Sequence, residues 1–186
     1  MALIHPPVCA FGWKAADFRL PGLDGKITSL ADICGPKATL VMFICNHCPY
    51  VQSSISRIVS DVRELRQHGV GSVAIMPNDV ITYPEDSLEN MQAFAETHTL
   101  PFPYLIDETQ ATARAYDAVC TPDFFGFNQA LELQYRGRID EGGREGGVPG
   151  ARRELFEAMV TIAKTGRGPS EQVASIGCSI KWRRQT

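Results

Sequence analysis

A run of apolar and β-branched residues, Ala38-Thr39-Leu40-Val41-Met42-Phe43-Ile44, stops at Cys45-Asn46-His47-Cys48 and gives way at once to Pro49 and a long amphipathic stretch. Such a run fits a β-strand covered on both faces. Beyond it, Val51, Ile55, Ile58, Val59, Val62 and Leu65 keep helical spacing, with Ser, Gln, Arg, Asp and Glu opposite. Pro49 suits a first helical turn, where its missing N–H matters least, and Gly69 after His68 is a stop signal. Two cysteines three positions apart therefore sit where a strand becomes a helix. N–H groups of a first turn have no intrahelical partner, and with the helix dipole they favour a thiolate there.

With 186 residues, 44% hydrophobic and 21% charged, the chain is long enough to bury a core without disulfides or metals. It reads as one domain over 1–186, with 166–186 as a C-terminal surface tail. A net charge of −3 and no basic face argue against nucleic acid as partner. No apolar run is long enough to cross a bilayer, so no membrane partner is expected. Met1 to Gly12 lacks a basic region followed by an apolar one. The expected location is the cytoplasm. Six cysteines are too sparse for a secreted disulfide scaffold, and in a reducing compartment a Cys-x-x-Cys beside a βαβ pattern points to redox chemistry.

Around the seam the pattern is α/β. Trp13–Leu20 and Ile27–Leu30 flank turn residues Pro21 to Lys26 as an N-terminal β-hairpin. Val70–Met76 is a second buried strand, and its crossover from Ala38–Ile44 is expected to be parallel and right-handed. Leu88, Met91, Phe94, Ala95 and His98 share a helical face whose start falls between Thr82 and Ser87. Phe102–Ile106 reads as a strand and Thr109–Tyr116 as a short helix. Phe124–Phe127 and Leu131–Tyr135 form a second hairpin, Gly142–Gly147 a loop, and Ala151–Lys164 a last helix. A central mixed sheet flanked by helices is the expected fold.

Cys-x-x-Cys at such a junction, followed by Val119-Cys120-Thr121-Pro122 before the terminal hairpin, resembles the thioredoxin fold. Ala16-Asp17-Phe18-Arg19-Leu20-Pro21-Gly22-Leu23-Asp24-Gly25 resembles the redoxin branch, the alkyl hydroperoxide reductase/thiol-specific antioxidant proteins. Phe43 to Val51, Cys120 to Phe125 and Gly177-Cys178-Ser179-Ile180-Lys181-Trp182 together resemble a peroxiredoxin-like subgroup with a Cys-Asn-His-Cys motif. The resemblance runs from about Trp13 to Trp182. It implies a cis bond between Thr121 and Pro122 facing the cysteines, with the Thr121 backbone free to pair with an incoming chain. One departure matters. Peroxiredoxins carry Pro-x-x-x-Thr/Ser-x-x-Cys, and laid onto Cys48 those positions hold Val41 and Cys45, so the hydroxyl and the proline of a hydroperoxide cradle are missing.

The site expected is Cys45 as attacking thiolate, Cys48 as its resolving partner, and His47 as a cation favouring the thiolate, with Thr121 and Pro122 docking substrate. The bland reading of the pair is two buried thiols or half a zinc site, and of His47 an exposed imidazole. Cys120 and Cys178 are possible additional thiols; the preferred readings are a small buried hydrophobe for Cys120 and, for Cys178, a terminus pinned by Ile180 and Trp182. Cys9 and Cys34 are structural or incidental, and Tyr50, Phe124 and Phe125 line either a rim or the core.

Three functions remain open. The first is a thiol–disulfide oxidoreductase working through a Cys45/Cys48 dithiol, with a protein or small-molecule disulfide or thiol as substrate and an electron-donating thiol partner. It needs neither metal nor organic cofactor. The second is a thiol peroxidase acting on hydroperoxides through a sulfenic acid. The third is a metal-binding module in which Cys45, His47 and Cys48 hold Cu(I) or zinc. The oligomeric state is not legible.

Overall fold

The computed structural model describes residues 3–4, 9–147 and 150–183. Its strands are β1 (Leu3–Ile4), β2 (Arg19–Pro21), β3 (Ile27–Ser29), β4 (Ala38–Phe43), β5 (Val70–Met76), β6 (Tyr104–Ile106), β7 (Cys120–Thr121), β8 (Asp123–Asn128), β9 (Leu133–Gly137) and β10 (Gly177–Ser179). Its helices are α1 (Leu30–Ile33), α2 (Pro49–Leu65), α3 (Leu88–His98), α4 (Ala111–Ala115) and α5 (Glu154–Thr165). The main sheet runs β6-β5-β4-β8-β9. β4, β5 and β6 are parallel, and β8 and β9 join antiparallel to that set. The mixed α/β fold read from the sequence is the one observed.

β4 is buried along its whole length, because the sheet has apolar cover on both sides. Leu40, Met42 and Ile44 point into one core with Val51, Ile55, Ile58 and Val62 of α2 and with Leu155, Met159 and Ile162 of α5. Val41 and Phe43 point into the other, with Leu20, Val73, Ile75, Ala113, Tyr116, Phe125 and Phe127. Alternation along a strand sends neighbours to opposite faces, so a continuous apolar run is what a doubly covered strand requires. Gly69 closes the α2 segment at φ 77°, a left-handed conformation that glycine adopts without steric penalty.

Several boundaries differ from the sequence reading, each for a local reason. The first hairpin strand is only Arg19–Pro21, because Trp13 and Ala15 bond instead to Leu133 and Leu131 beside β9. Leu30 opens a helix rather than ending a strand. Ser29 caps α1, accepting the Asp32 N–H while the Asp32 carboxylate accepts the Ser29 N–H. β9 starts at Leu133 because Asn128 Oδ1 accepts the N–H groups of Ala130 and Glu132 and Leu131 turns to φ 57°. Pro101 and Pro103 shorten β6.

The largest correction concerns the segment expected to be a surface tail. Residues Gly177–Ser179 form β10, the middle strand of a second sheet, β1-β10-β7, and both Cys178 and Ile180 are buried. The weak periodicity of this stretch hid a strand too short to show alternation.

Candidate active site

The site begins where β4 ends. Ile44 carries the ladder one bond further, its N–H donating to Ile75 O at 3.1 Å. The chain then turns through Cys45 to Cys48 into α2, with Cys48 as N-cap in extended conformation and Pro49 in the first turn. From across the molecule, β7 brings Thr121 against both cysteines. Cys45 Sγ lies 3.3 Å from Thr121 Oγ1, and the Cys48 thiol donates to Thr121 O at 3.0 Å. Cys178 is the cross-strand partner of Thr121 in the β10–β7 pair. Three sulfurs thus gather around one threonine. All are free thiols, with 1%, 0% and 4% of Cys45, Cys48 and Cys178 exposed.

Their acidities move in opposite directions. Cys48 is the acidic member, its pKa lowered from 9.0 to about 5 by the neighbouring Cys45 thiol. Burial works against this, while the Val51 N–H of the first helical turn and the thiol and N–H of Cys178 add to it. Ionisation gives up the bond to Thr121 O, so these remaining donors must hold the charge. Cys45 moves the opposite way, well above the usual thiol range, because it supplies the hydrogen bond to Cys48 and is itself buried near Asp86. Cys178 rises to about 12 through burial and its contact with Cys48. Negative charge is therefore favoured at Cys48 over Cys45, because the Cys45 thiol donates its hydrogen bond to the Cys48 sulfur.

His47 faces a different group. Its Nδ1 stands 2.8 Å from Asp86 Oδ2, as a charge pair rather than an aligned hydrogen bond, and its ring stacks on Tyr83. The Asp86 carboxylate raises the His47 pKa against the opposing effect of burial. Asp86 is fully buried, accepting the Asn46 N–H and the Asn78 Nδ2–H, both at 2.8 Å. It thereby ties the Cys45–Cys48 turn to the 3₁₀ turn Pro84–Asp86. Sequence reading missed Asp86 entirely. The one available signal is a carboxylate inside Pro84-Glu85-Asp86-Ser87, which by itself reads as a solvated turn before a helix. Among the described residues, the sulfur and nitrogen or oxygen atoms of Cys45, His47 and Asp86 come within 4.8 Å of one another. The metal set expected from sequence, Cys45, His47 and Cys48, is not the one gathered, because the Cys48 sulfur turns to Thr121.

The Thr121–Pro122 peptide is cis. The Thr121 backbone, however, is not free for an incoming chain, because β10 already occupies that edge. Cys120 is buried, its thiol aimed at Pro122 O at 3.7 Å and its pKa raised by burial. Phe124 and Phe125 lie in the two cores on opposite faces of β8. Tyr50 is half-buried and lines a small cleft of about 20 Å³ with Pro122 and Phe124. Cys9 and Cys34 pack against the second core, remote in contact from the three sulfurs. An open groove of about 430 Å³ adjoins the site, lined by Asn46, His47, Gln52, Glu85, Phe94 and His98.

The AhpC/TSA family profile matches residues 11–141, and no curated protein matches the chain. An uncharacterized conserved protein from Geobacillus kaustophilus is 42% identical over 100% of this chain and 99% of its own, with a TM-score of 0.93. A hypothetical protein from Sinorhizobium meliloti 1021 is 34% identical over 97% of this chain and 99% of its own, with a TM-score of 0.91. A peroxidoxin from Mycobacterium tuberculosis shares the fold at 14% identity, over 87% of this chain and 100% of its own, with a TM-score of 0.64. With its mixed sheet and thiol cluster, the chain belongs to the AhpC/TSA family and is a thiol-dependent oxidoreductase of the redoxin superfamily.

Proposed function

We propose that the protein is a thiol–disulfide oxidoreductase in which Cys48 attacks and Cys45 resolves. The observation that carries this reading is the Cys48 sulfur at the cap of α2, acidified by the Cys45 thiol beside it. The Cys48 thiolate attacks one sulfur of a substrate disulfide, forming a mixed disulfide and expelling the other sulfur as a thiolate that takes a proton from water. Loss of the Cys48 charge removes one of the influences holding the Cys45 proton, and Thr121 Oγ1 can then hydrogen-bond the emerging Cys45 thiolate. Cys45 attacks the Cys48 sulfur, closes Cys45–Cys48 and releases the second substrate thiol. The substrate gains two electrons, and an electron-donating thiol partner restores the pair.

The test is equilibration with glutathione mixtures of known ratio, followed by acid quench and alkylation of the remaining thiols. A two-electron transition carried by Cys45 and Cys48, absent from Cys45→Ser and Cys48→Ser proteins, supports the reading. A protein that yields only glutathione adducts overturns it.

A peroxidase reading has one observation in its favour. The more acidic thiol is Cys48, the position onto which the peroxiredoxin motif is laid by resemblance. Against it stand the substitutions at Val41 and Cys45. Stopped-flow mixing with hydrogen peroxide discriminates, because a rate near that of free cysteine eliminates the peroxidase.

A further inference from the structure

β10 lies where a docking chain would lie. It pairs antiparallel with β7, setting Cys178 opposite Thr121 and Ser179 opposite Cys120, and the ladder continues through the Ile180 N–H to Val119 O at 3.0 Å. The fit is close at its first residue. A Cβ on Gly177 would come within 2.2 Å of Thr121 O and 2.6 Å of Thr121 C, so only glycine lets the strand approach this far. On its other side β10 is held by β1, through Leu3 opposite Cys178 and Ile4 opposite Gly177. Thr121, whose two oxygens contact Cys45 and Cys48, has its backbone taken up by a third cysteine from the same chain. A strand that presents a cysteine in register, beside a buried nucleophilic sulfur, has the form of a substrate.

We propose that β10 is a built-in substrate strand, and that Cys178 exchanges with Cys48 to relay the disulfide from Cys45–Cys48 to Cys48–Cys178. The step is internally balanced. Cys178 gives its proton to water, and its sulfur attacks Cys48 Sγ. The Cys45–Cys48 bond breaks as the Cys48–Cys178 bond forms, and Cys45 leaves as a thiolate that takes up a proton. No net electrons enter or leave, because the first disulfide was made at the expense of a substrate disulfide. The consequence is a tether: once Cys178 is bonded, β10 is fixed over Thr121, and only an electron donor frees the edge for an external chain.

This inference rests on the exchange chemistry proposed above, and one experiment separates the two. The full-length protein and its Cys178→Ser and Cys45→Ser variants are oxidised with diamide, quenched in acid, alkylated and digested with trypsin without reduction. Cys45 and Cys48 fall in one tryptic peptide, residues 38–57, whereas Cys178 falls in residues 168–181. A Cys48–Cys178 bond therefore joins two peptides and a Cys45–Cys48 bond does not. The expected result is the joined pair in the unaltered protein and, in near-stoichiometric yield, in Cys45→Ser, with the internal loop alone in Cys178→Ser. The internal loop in Cys178→Ser with no joined pair in either other protein overturns the relay and leaves the exchange reading intact. No internal loop in Cys178→Ser removes the exchange reading itself. If Cys45→Ser fails to fold, the unaltered protein still decides, since the joined pair must appear there.

Discussion

Replacing Cys48 with serine removes one ionisable group while keeping nearly the same shape, which isolates the charge on which the chemistry depends. In the folded protein the Cys48 pKa falls from 9.0 to about 5. A folded pKa below the unfolded one adds stability that is complete above the unfolded value, here about 9, and is lost as pH falls through about 5. Between these limits the contribution grows by about 1.4 kcal/mol per pH unit, so it reaches about 3 kcal/mol at about pH 7. Cys45 and Cys178 keep their protons across this window and do not oppose the trend. The assay is urea unfolding of reduced protein and reduced Cys48→Ser at intervals from about pH 5 to about pH 8. The difference in unfolding free energy between them should widen by about 4 kcal/mol over that span. Because the thiolate stabilises the reduced state, about 3 kcal/mol also makes the pair about 60 mV more oxidising than an unperturbed dithiol. A difference that stays flat until about pH 9 would refute the assignment of the thiolate to Cys48.

Other outcomes follow from the surroundings. Asp86→Ala strands the Asn46 N–H and the Asn78 amide in a fully buried site, and should cost about 2–6 kcal/mol by urea unfolding. In Asp86→Asn the His47 titration, followed by proton NMR, should move to lower pH, because the carboxylate that raises it is gone. His47→Ala should leave the Cys48 titration unchanged by thiolate absorbance, since His47 pairs with Asp86 rather than with the sulfur. Gly177→Ala should speed iodoacetamide labelling of Cys178 in the reduced protein, because its Cβ cannot coexist with Thr121 O.

The parts of this molecule written as local patterns were legible. Ala38–Ile44 announced a doubly covered strand through unbroken apolarity, and the α2 face through its spacing, so the seam carrying the cysteines followed from both. The Ser29–Asp32 capping box is equally local, but it overlaps Ile27–Leu30, which also reads as strand. What stayed hidden depends on residues far apart in the chain. Which cysteine favours the charge depends on how the two sulfurs face each other and on Cys178, far along the chain, which also contacts Cys48. The partner of His47 is a carboxylate 39 positions on, whose burial no periodicity records. β10 shows no alternation in three residues, and only its register against β7 makes Cys178 part of the cluster.

The second sheet joins residues at opposite ends of the sequence, β1 near the start and β10 near the finish. A ribosome adding roughly 5–20 residues per second therefore delivers the cysteine turn on the order of ten seconds before the strand that covers it. For that interval the nascent chain carries an unroofed pair of thiols, open to whatever oxidants, reductants or chaperones surround it. Synthesis of β10, rather than formation of the main sheet, is the event that closes the edge beside this reactive centre.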